Sequence, residues 1–246
     1  MDEEKSELFH SFTARLLYLM KRARPDIETT VSFLMRRVSK SDTDDWKKLR
    51  RCIGYLKRTM EDVRVIGADT LTDLYTWIDA AYAVHDNMRG HTGGAMSMGH
   101  GIIHGKAGMQ KINAKSSTEA ELIGVAEYIP YNIWLMMFLE AQGYGLVNNV
   151  VYQDNQSSIR MENNGRNSCT GNSRHINVRY FFVKDRIDKG EMRVEYTPTQ
   201  VMLADYFTKP LNGRRFDVIR RYIMGWEPMS TLSTSLDNQS ENQGAC

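Results

Sequence analysis

The sequence predicts an α/β domain preceded by a small helical segment. Over residues 1–60 apolar side chains recur at helical spacing, whereas from about residue 66 short apolar runs separated by turn signals take over. The later part then alternates strand-like and helical stretches, the pattern of a sheet covered by helices. With 246 residues there is room for one large domain or two small ones, and 41% hydrophobic content supports a packed core.

Three helices account for the first segment. Ser6 is suited to cap a helix whose Phe9, Phe12, Leu16, Leu17 and Met20 form one face. Pro25 interrupts that pattern and opens a second helix through Ile27, Val31, Phe33, Leu34 and Val38. Thr43 with Asp44 and Asp45 starts a third, because acids favour the positive end of a helix dipole. Its stripe of Trp46, Leu49, Ile53 and Leu56 is ringed by Lys47, Lys48, Arg50, Arg51, Lys57 and Arg58.

Strands are then expected at 73–82, 94–105 and 108–114, with MRGHTGG and GKAG as turns. A helix follows from about 118, divided at Pro130, since proline removes a helix hydrogen bond and clashes with the preceding turn. Next come a strand near 148–154, a helix at 155–162, a polar loop at 163–173 and a helix near 175–188. A strand near 191–197 and a helix near 200–208 complete the unit, in the order βββαβαβα. A last helix at 213–224 leads into a Ser/Asn/Gln/Thr tail too polar to order itself. The expected borders are therefore 1–65, 66–212 and 213–246.

Charge is unevenly divided. Residues 1–60 carry 14 Lys/Arg against 9 Asp/Glu, a balance of +5, which leaves −3 for the rest of a chain whose total is +2. A basic front and an acidic back suit an enzyme acting on nucleic acid, although ordinary solvated helix faces give the same count. Cys52, Cys169 and Cys246 are odd in number, distant, and not in metal-finger spacing, so a reducing, intracellular setting is expected. No run of about 18 apolar residues stands out, so a membrane span is not expected. The acidic start, MDEEKSELFH, lacks an apolar signal region.

Four acids are the candidate chemistry. Asp79 sits in the strand-like LYTWIDAAY, Glu121 one turn into the helix opened by AKSSTEAEL, Asp154 at the end of VNNVVYQDN, and Asp205 in QVMLADYF. An unpaired carboxylate among Trp77, Ile78, Ala80 and Ala81 is costly to bury, which favours a functional role for Asp79. Glu119 and Glu121 lie two residues apart and so face different sides of a helix; Glu119 suits the first-turn dipole. Asp154 could also cap the following helix. Carboxylates are the hard oxygen ligands that Mg²⁺ prefers. His100 and His104 could pair on zinc, but with no third ligand apparent they are read as structural or surface residues.

The strings RARPDI, DDWKKLRRCIGYLKRT, SSTEAEL, DNQSSI, SRHINVRYFFVKDRI and ADYFTKPL, in that order over roughly residues 9–225, resemble the C-terminal part of copia-type LTR retrotransposon Pol polyproteins. There the end of the reverse transcriptase, around the thumb, precedes a ribonuclease H domain. The resemblance implies a ribonuclease H-like mixed five-stranded sheet with flanking helices. It also implies endonucleolytic hydrolysis of the RNA strand of RNA–DNA hybrids by two-metal catalysis during reverse transcription. Two Mg²⁺ ions, with Mn²⁺ as the alternative, would be bridged by Asp79, with Glu121 and Asp154 on one ion and Asp205 on the other; the family position selects Glu121 over Glu119. Ser116, Ser117 and Thr118, and similarly Asn155 and Gln156, would read the 2′-OH groups of the RNA strand. Arg174, His175 and Arg179 would contact phosphates. The implied partners are an RNA–DNA hybrid and the remainder of the Pol polyprotein, without a membrane, in the cytoplasm (within a retrotransposon particle) or the nucleus. Residues 1–60 would dock and hold nucleic acid.

One departure stands out. The loop before Asp205 reads YTPTQVML and lacks the histidine that many ribonucleases H place there, so either His175 substitutes or the group is dispensed with. A Tyr-x-Asp-Asp string is also absent, so DNA synthesis is not expected. The rival readings are a truncated or decayed element, folded but inactive, and a nuclease of the same fold acting on another nucleic acid.

Overall fold

Asp2, not Ser6, caps the first helix: its carboxylate accepts from the Lys5 amide at 2.8 Å in the computed structural model, which describes residues 1–165 and 182–233. Helix α1 (Glu3–Arg22) buries Phe9, Thr13, Leu16 and Met20 and leaves Phe12 exposed. Pro25 opens a 3-10 turn, Pro25–Ile27, from which α2 (Glu28–Met35) continues for a shorter span than the periodicity suggests. Helix α3 (Thr43–Arg58) begins in a reciprocal cap. Asp42 accepts from the Asp44 and Asp45 amides at 2.8 and 2.9 Å, and Asp45 accepts from the Asp42 amide at 3.1 Å. Phe9, Leu16, Met20, Ile27, Val31, Leu34, Leu49 and Cys52 share one core, with Ile53 outside it. All six basic residues of α3 are exposed.

The main sheet contains β2 (Asp73–Ala81), β3 (His91–Ser97), β5 (His104–Met109), β6 (Asn148–Gln153) and β7 (Arg193–Tyr196). Its order is β5-β3-β2-β6-β7; the β5-β3 and β3-β2 pairs are antiparallel and the β2-β6 and β6-β7 pairs are parallel. This is the expected mixed five-stranded sheet with flanking helices. Short strands β1 (Gly67–Ala68) and β4 (Gly99–His100) pair beside it. The strand expected at 94–105 instead spans β3, β4 and the start of β5. Gly99 and Gly101 adopt φ of 135° and 64°, and the Ser97 hydroxyl donates to the Gly101 carbonyl at 2.6 Å, so the chain turns a corner there.

Helix α4 (Ser117–Ala141) runs through Pro130 without dividing. Val125, Tyr128, Ile129 and Leu139 pin both sides of the proline against the sheet, and that burial outweighs one lost hydrogen bond. By length and apolar composition α4 is also the one helix among the described residues that could cross a bilayer, yet 50% of its most apolar stretch is buried in this core. Helix α5 (Gln156–Asn164) follows β6, and residues 182–188 form α6. The rest of the expected 175–188 helix, with most of the 163–173 loop, lies outside the described residues. The expected 200–208 helix is a 3-10 turn, Thr199–Val201, followed by the single turn α7 (Asp205–Thr208), because Met202 between them is extended. Helix α8 (Gly213–Ile223) comes last.

Strand alternation sends alternate side chains to opposite faces. Leu74, Ile78, Met96 and Val151 meet α4, whereas Trp77 and Ala95 meet Met202, Phe207, Ile219, Tyr222 and Ile223. Helix α8, expected in a terminal segment, thus forms part of the main core. Gly93 and Gly94 let both layers approach β3 closely. A Cβ on Gly94 would stand 2.2 Å from the Tyr128 ring, and one on Gly93 would stand 2.7 Å from the Ala204 carbonyl oxygen.

The N-terminal helices are tied to this unit through Asp26. Arg24 donates to both its carboxylate oxygens at 2.9 and 2.8 Å, and Tyr55 Oη and Arg220 Nε donate at 2.6 and 3.0 Å. Tyr206 Oη adds a bond to the Asp26 carbonyl at 3.0 Å, and Ser32 Oγ donates to the Ala107 carbonyl at 2.7 Å. Burial alone would raise the Asp26 carboxyl, but the bonds from Arg24, Tyr55 and Arg220 outweigh it and hold the carboxyl below its usual value. Asp26→Ala is expected to remove about 3–5 kcal/mol, because it strands two partly buried guanidinium groups. The loss should be full above the ordinary aspartate pKa and fade as pH falls through the depressed one. Urea denaturation of both proteins at neutral and acidic pH checks this; equal stability at neutral pH would refute it.

Candidate active site

The parallel pair β2 and β6 ends its register at Trp77↔Tyr152, and two residues further along the chain stand Asp79, still in β2, and Asp154, just past the end of β6. On its other side Asp79 pairs with Gly93 of β3. Glu121 arrives from the first turns of α4. Ser116 accepts from the Glu119 amide at 3.2 Å, while Glu119 accepts from the Lys115 amide at 2.7 Å, so the Glu119 carboxylate is occupied in capping. Gly124, one turn on, packs against Ala80 and brings the start of α4 over the end of β2. Asp79, Glu121 and Asp154 each offer an oxygen within 4.8 Å of the others. Asp79 and Glu121 are buried and Asp154 is half-buried.

Burial and then the neighbouring Asp205 charge raise the Asp79 carboxyl, and burial, Asp79 and Asp154 push Glu121 well above the usual glutamate value. Glu121 Oε2 is buried without a hydrogen-bond partner among the described residues. A bare buried carboxylate oxygen flanked by two more carboxylates is a set of hard oxygens that fits Mg²⁺ or Mn²⁺.

Asp205 is fully buried in α7 and adjoins Asp79, but it stands outside the three-acid group. Its Oδ1 accepts from Lys209 Nζ at 2.6 Å and its Oδ2 from Arg215 Nη2. Lys209 Nζ also lies 3.4 Å from Asp79 Oδ2, to which Thr208 Oγ1 donates. Thr199 Oγ1 donates to Asp154 Oδ2 at 2.8 Å, and Arg215 Nη2 reaches the Thr199 carbonyl at 2.7 Å. Sequence reasoning missed these four neighbours. Thr208 and Lys209 are present in the ADYFTKPL string, whereas nothing local marks Thr199 or Arg215.

The proposed substrate contacts fall in different places. Ser116 and Ser117 are exposed and Thr118 half-buried at the α4 start, although Ser116 also serves as the cap. Asn155 caps α5 by accepting from the Ser157 and Ser158 amides at 3.0 and 3.1 Å, and Gln156 beside it is exposed. Arg174, His175 and Arg179 lie outside the described residues. His100 and His104 sit on separate strands: His100 Nε2 is 3.5 Å from Asp69, and the His104 ring stacks on Tyr131 at 4.5 Å. They do not form a metal pair.

No family model matches the chain. The retrovirus-related Pol polyprotein from transposon TNT 1-94 of Nicotiana tabacum is 30% identical over 226 residues, covering 90% of this chain and 17% of that protein. Its counterpart from transposon RE2 of Arabidopsis thaliana is 29% identical over 202 residues, covering 81% of this chain and 14% of that protein. The chain therefore spans a small part of the relatives it matches. Among solved structures, a ribonuclease H1 isolated from compost superposes with a TM-score of 0.40 at 11% identity, over 55% of this chain and 92% of that one.

Glu121→Gln keeps the shape of the side chain and removes its charge. Because the folded carboxyl holds its proton more tightly than the unfolded one, its stabilising contribution is present at low pH and lost as pH rises past the ordinary glutamate value. In chelator at neutral pH, the variant is expected to melt at least about 2–4 °C above wild type, the shift that ~1 kcal/mol gives at this size. Near pH 4 the two melts should converge. A variant that melts lower at neutral pH would contradict the repulsion.

Proposed function

We propose, for a chain related in sequence to the retrovirus-related Pol polyproteins of transposons, that it is the ribonuclease H of a copia-type element and hydrolyses the RNA strand of RNA–DNA hybrids during reverse transcription. The observation that carries this reading is the meeting of Asp79, Glu121 and Asp154 from two parallel strands and a helix start, with a buried Glu121 oxygen left unpartnered. Divalent ions, Mg²⁺ or Mn²⁺, supply charge neutralisation at the scissile phosphate and an activated water when bound. Asp79, Glu121 and Asp154 hold them, with Asp205 facing Asp79.

The remaining roles belong to the rim. Ser117, Thr118 and Gln156, beside the carboxylates, offer polar groups to the 2′-OH row of an RNA strand. The exposed Lys47, Lys48, Arg50, Arg51, Lys57 and Arg58 of α3 attract phosphates. Since the same helices grip α7 and β5, their nucleic-acid role is best separated from their structural one by neutralising charge rather than by deletion. The partners in this reading are the hybrid and the rest of the Pol polyprotein, in an intracellular particle.

The deciding experiment is a cleavage assay on hybrid, duplex RNA and duplex DNA, with and without Mg²⁺. Metal-dependent scission of the RNA in the hybrid is expected. Asp79→Asn should slow it by more than about 100-fold, beyond what loss of an outer partner of a metal ligand costs. An uncut hybrid, or near-normal cleavage by Asp79→Asn, would overturn the assignment.

Replacing Lys47, Arg50, Arg51 and Arg58 together with glutamine is expected to weaken hybrid binding and flatten its salt dependence, by about 0.9 in slope per lost phosphate contact. Binding isotherms at several salt concentrations check this, and an unchanged slope would show that α3 makes no phosphate contact.

A further inference from the structure

We propose that Lys209 and Arg215 are built-in counter-ions of Asp205. The centre then takes one divalent cation at Asp79, Glu121 and Asp154 readily, and a second, at Asp79 and Asp205, only by displacing Lys209. This rests on the metal-binding reading of the site given above.

The two sides of Asp79 differ in how their charge is met. On the Glu121 side neither Glu121 nor Asp154 is ion-paired with a cationic side chain among the described residues, and Glu121 Oε2 is bare. On the Asp205 side both oxygens are taken, Oδ1 by Lys209 Nζ at 2.6 Å and Oδ2 by Arg215 Nη2. Lys209 Nζ sits between the two aspartates, 3.4 Å from Asp79 Oδ2, so a cation bridging them competes with it directly. The protein thus supplies at Asp205 the positive charge that the Glu121 side lacks.

The two counter-ions are not equally movable. Arg215 is a planar fork fixed at a second point by the Thr199 carbonyl, and it stands on α8, whose Ile219, Tyr222 and Ile223 are buried in the main core. Lys209 follows the single-turn helix α7, its side chain is 42% exposed, and its ammonium ends a flexible four-carbon stem. Lys209 is therefore the group that yields, and Arg215 positions Asp205 throughout.

The test is calorimetric titration of the metal-free full chain with Mn²⁺ alone, without nucleic acid, on wild type, Lys209→Met and Lys209→Arg. Wild type is expected to bind one ion strongly and a second weakly. Lys209→Met should tighten the second ion by ~10-fold or more, the factor by which one adjacent opposite charge alters a carboxylate's proton affinity, and the first ion by less. Lys209→Arg keeps the charge and should follow wild type. Thermal melts in chelator give a second readout, in which Lys209→Met should melt lower than wild type because Asp79 and Asp205 lose their counter-ion. A Lys209→Met isotherm that superimposes on wild type, with both proteins folded, overturns the inference while leaving the metal site intact. Wild type that binds no Mn²⁺ overturns the inference and the metal reading together.

Discussion

Like charges gathered in a dry place repel, and much of this structure answers that constraint at the end of β2. Asp79, Glu121, Asp154 and Asp205 come from four elements that no local force holds together. Their mutual repulsion is met in two ways. Lys209 and Arg215 neutralise the Asp205 side, and on the other side Asp79 and Glu121 carry raised carboxyl pKa values. A fold organised for stability alone would not leave Glu121 Oε2 bare. Only rigid scaffolding keeps such an arrangement from relaxing, and the continuous α4, clamped along the sheet, supplies it.

Asp26 shows the opposite solution to the same physics. There a single buried carboxylate receives two guanidinium groups and a phenol, and its carboxyl is held low rather than high. The position of this knot matters for the site. Tyr206, next to Asp205, bonds to the Asp26 carbonyl across 180 residues of chain, and Arg220 of α8 closes on the Asp26 carboxylate. A helical segment expected to act as a docking arm therefore also braces α7 and α8, which carry Asp205 and Arg215. Its exposed basic face and its buried acidic knot are separate features of the same three helices.

Close backbone approach sets the remaining geometry. Gly93 lies opposite Asp79 and under α7, so the turn bearing Asp205 sits directly on the strand beside the one bearing Asp79. A side chain at Gly93 would push against Thr208, the residue whose hydroxyl bonds to Asp79. The HTGGAMS strand thus has its composition from the layers that close on it as much as from its own pairing.

The sequence by itself determined the class of fold, the order of most elements, and the strand and helix contexts of Asp79, Glu121 and Asp154. Those features are local: alternation and helical period. Element ends were less legible. The cap of α1 falls at Asp2 rather than Ser6, through a local bond to the Lys5 amide, and α4 passes through Pro130 because tertiary burial overrides one residue's preference. What only the tertiary structure decided is how charge is met at long range. No period or motif in the chain joins Arg215 to Asp205, Thr199 to Asp154, or Arg220 to Asp26. Coulomb forces and hydrogen bonds act through space, and their partners become neighbours only after the sheet and its two helical layers have closed.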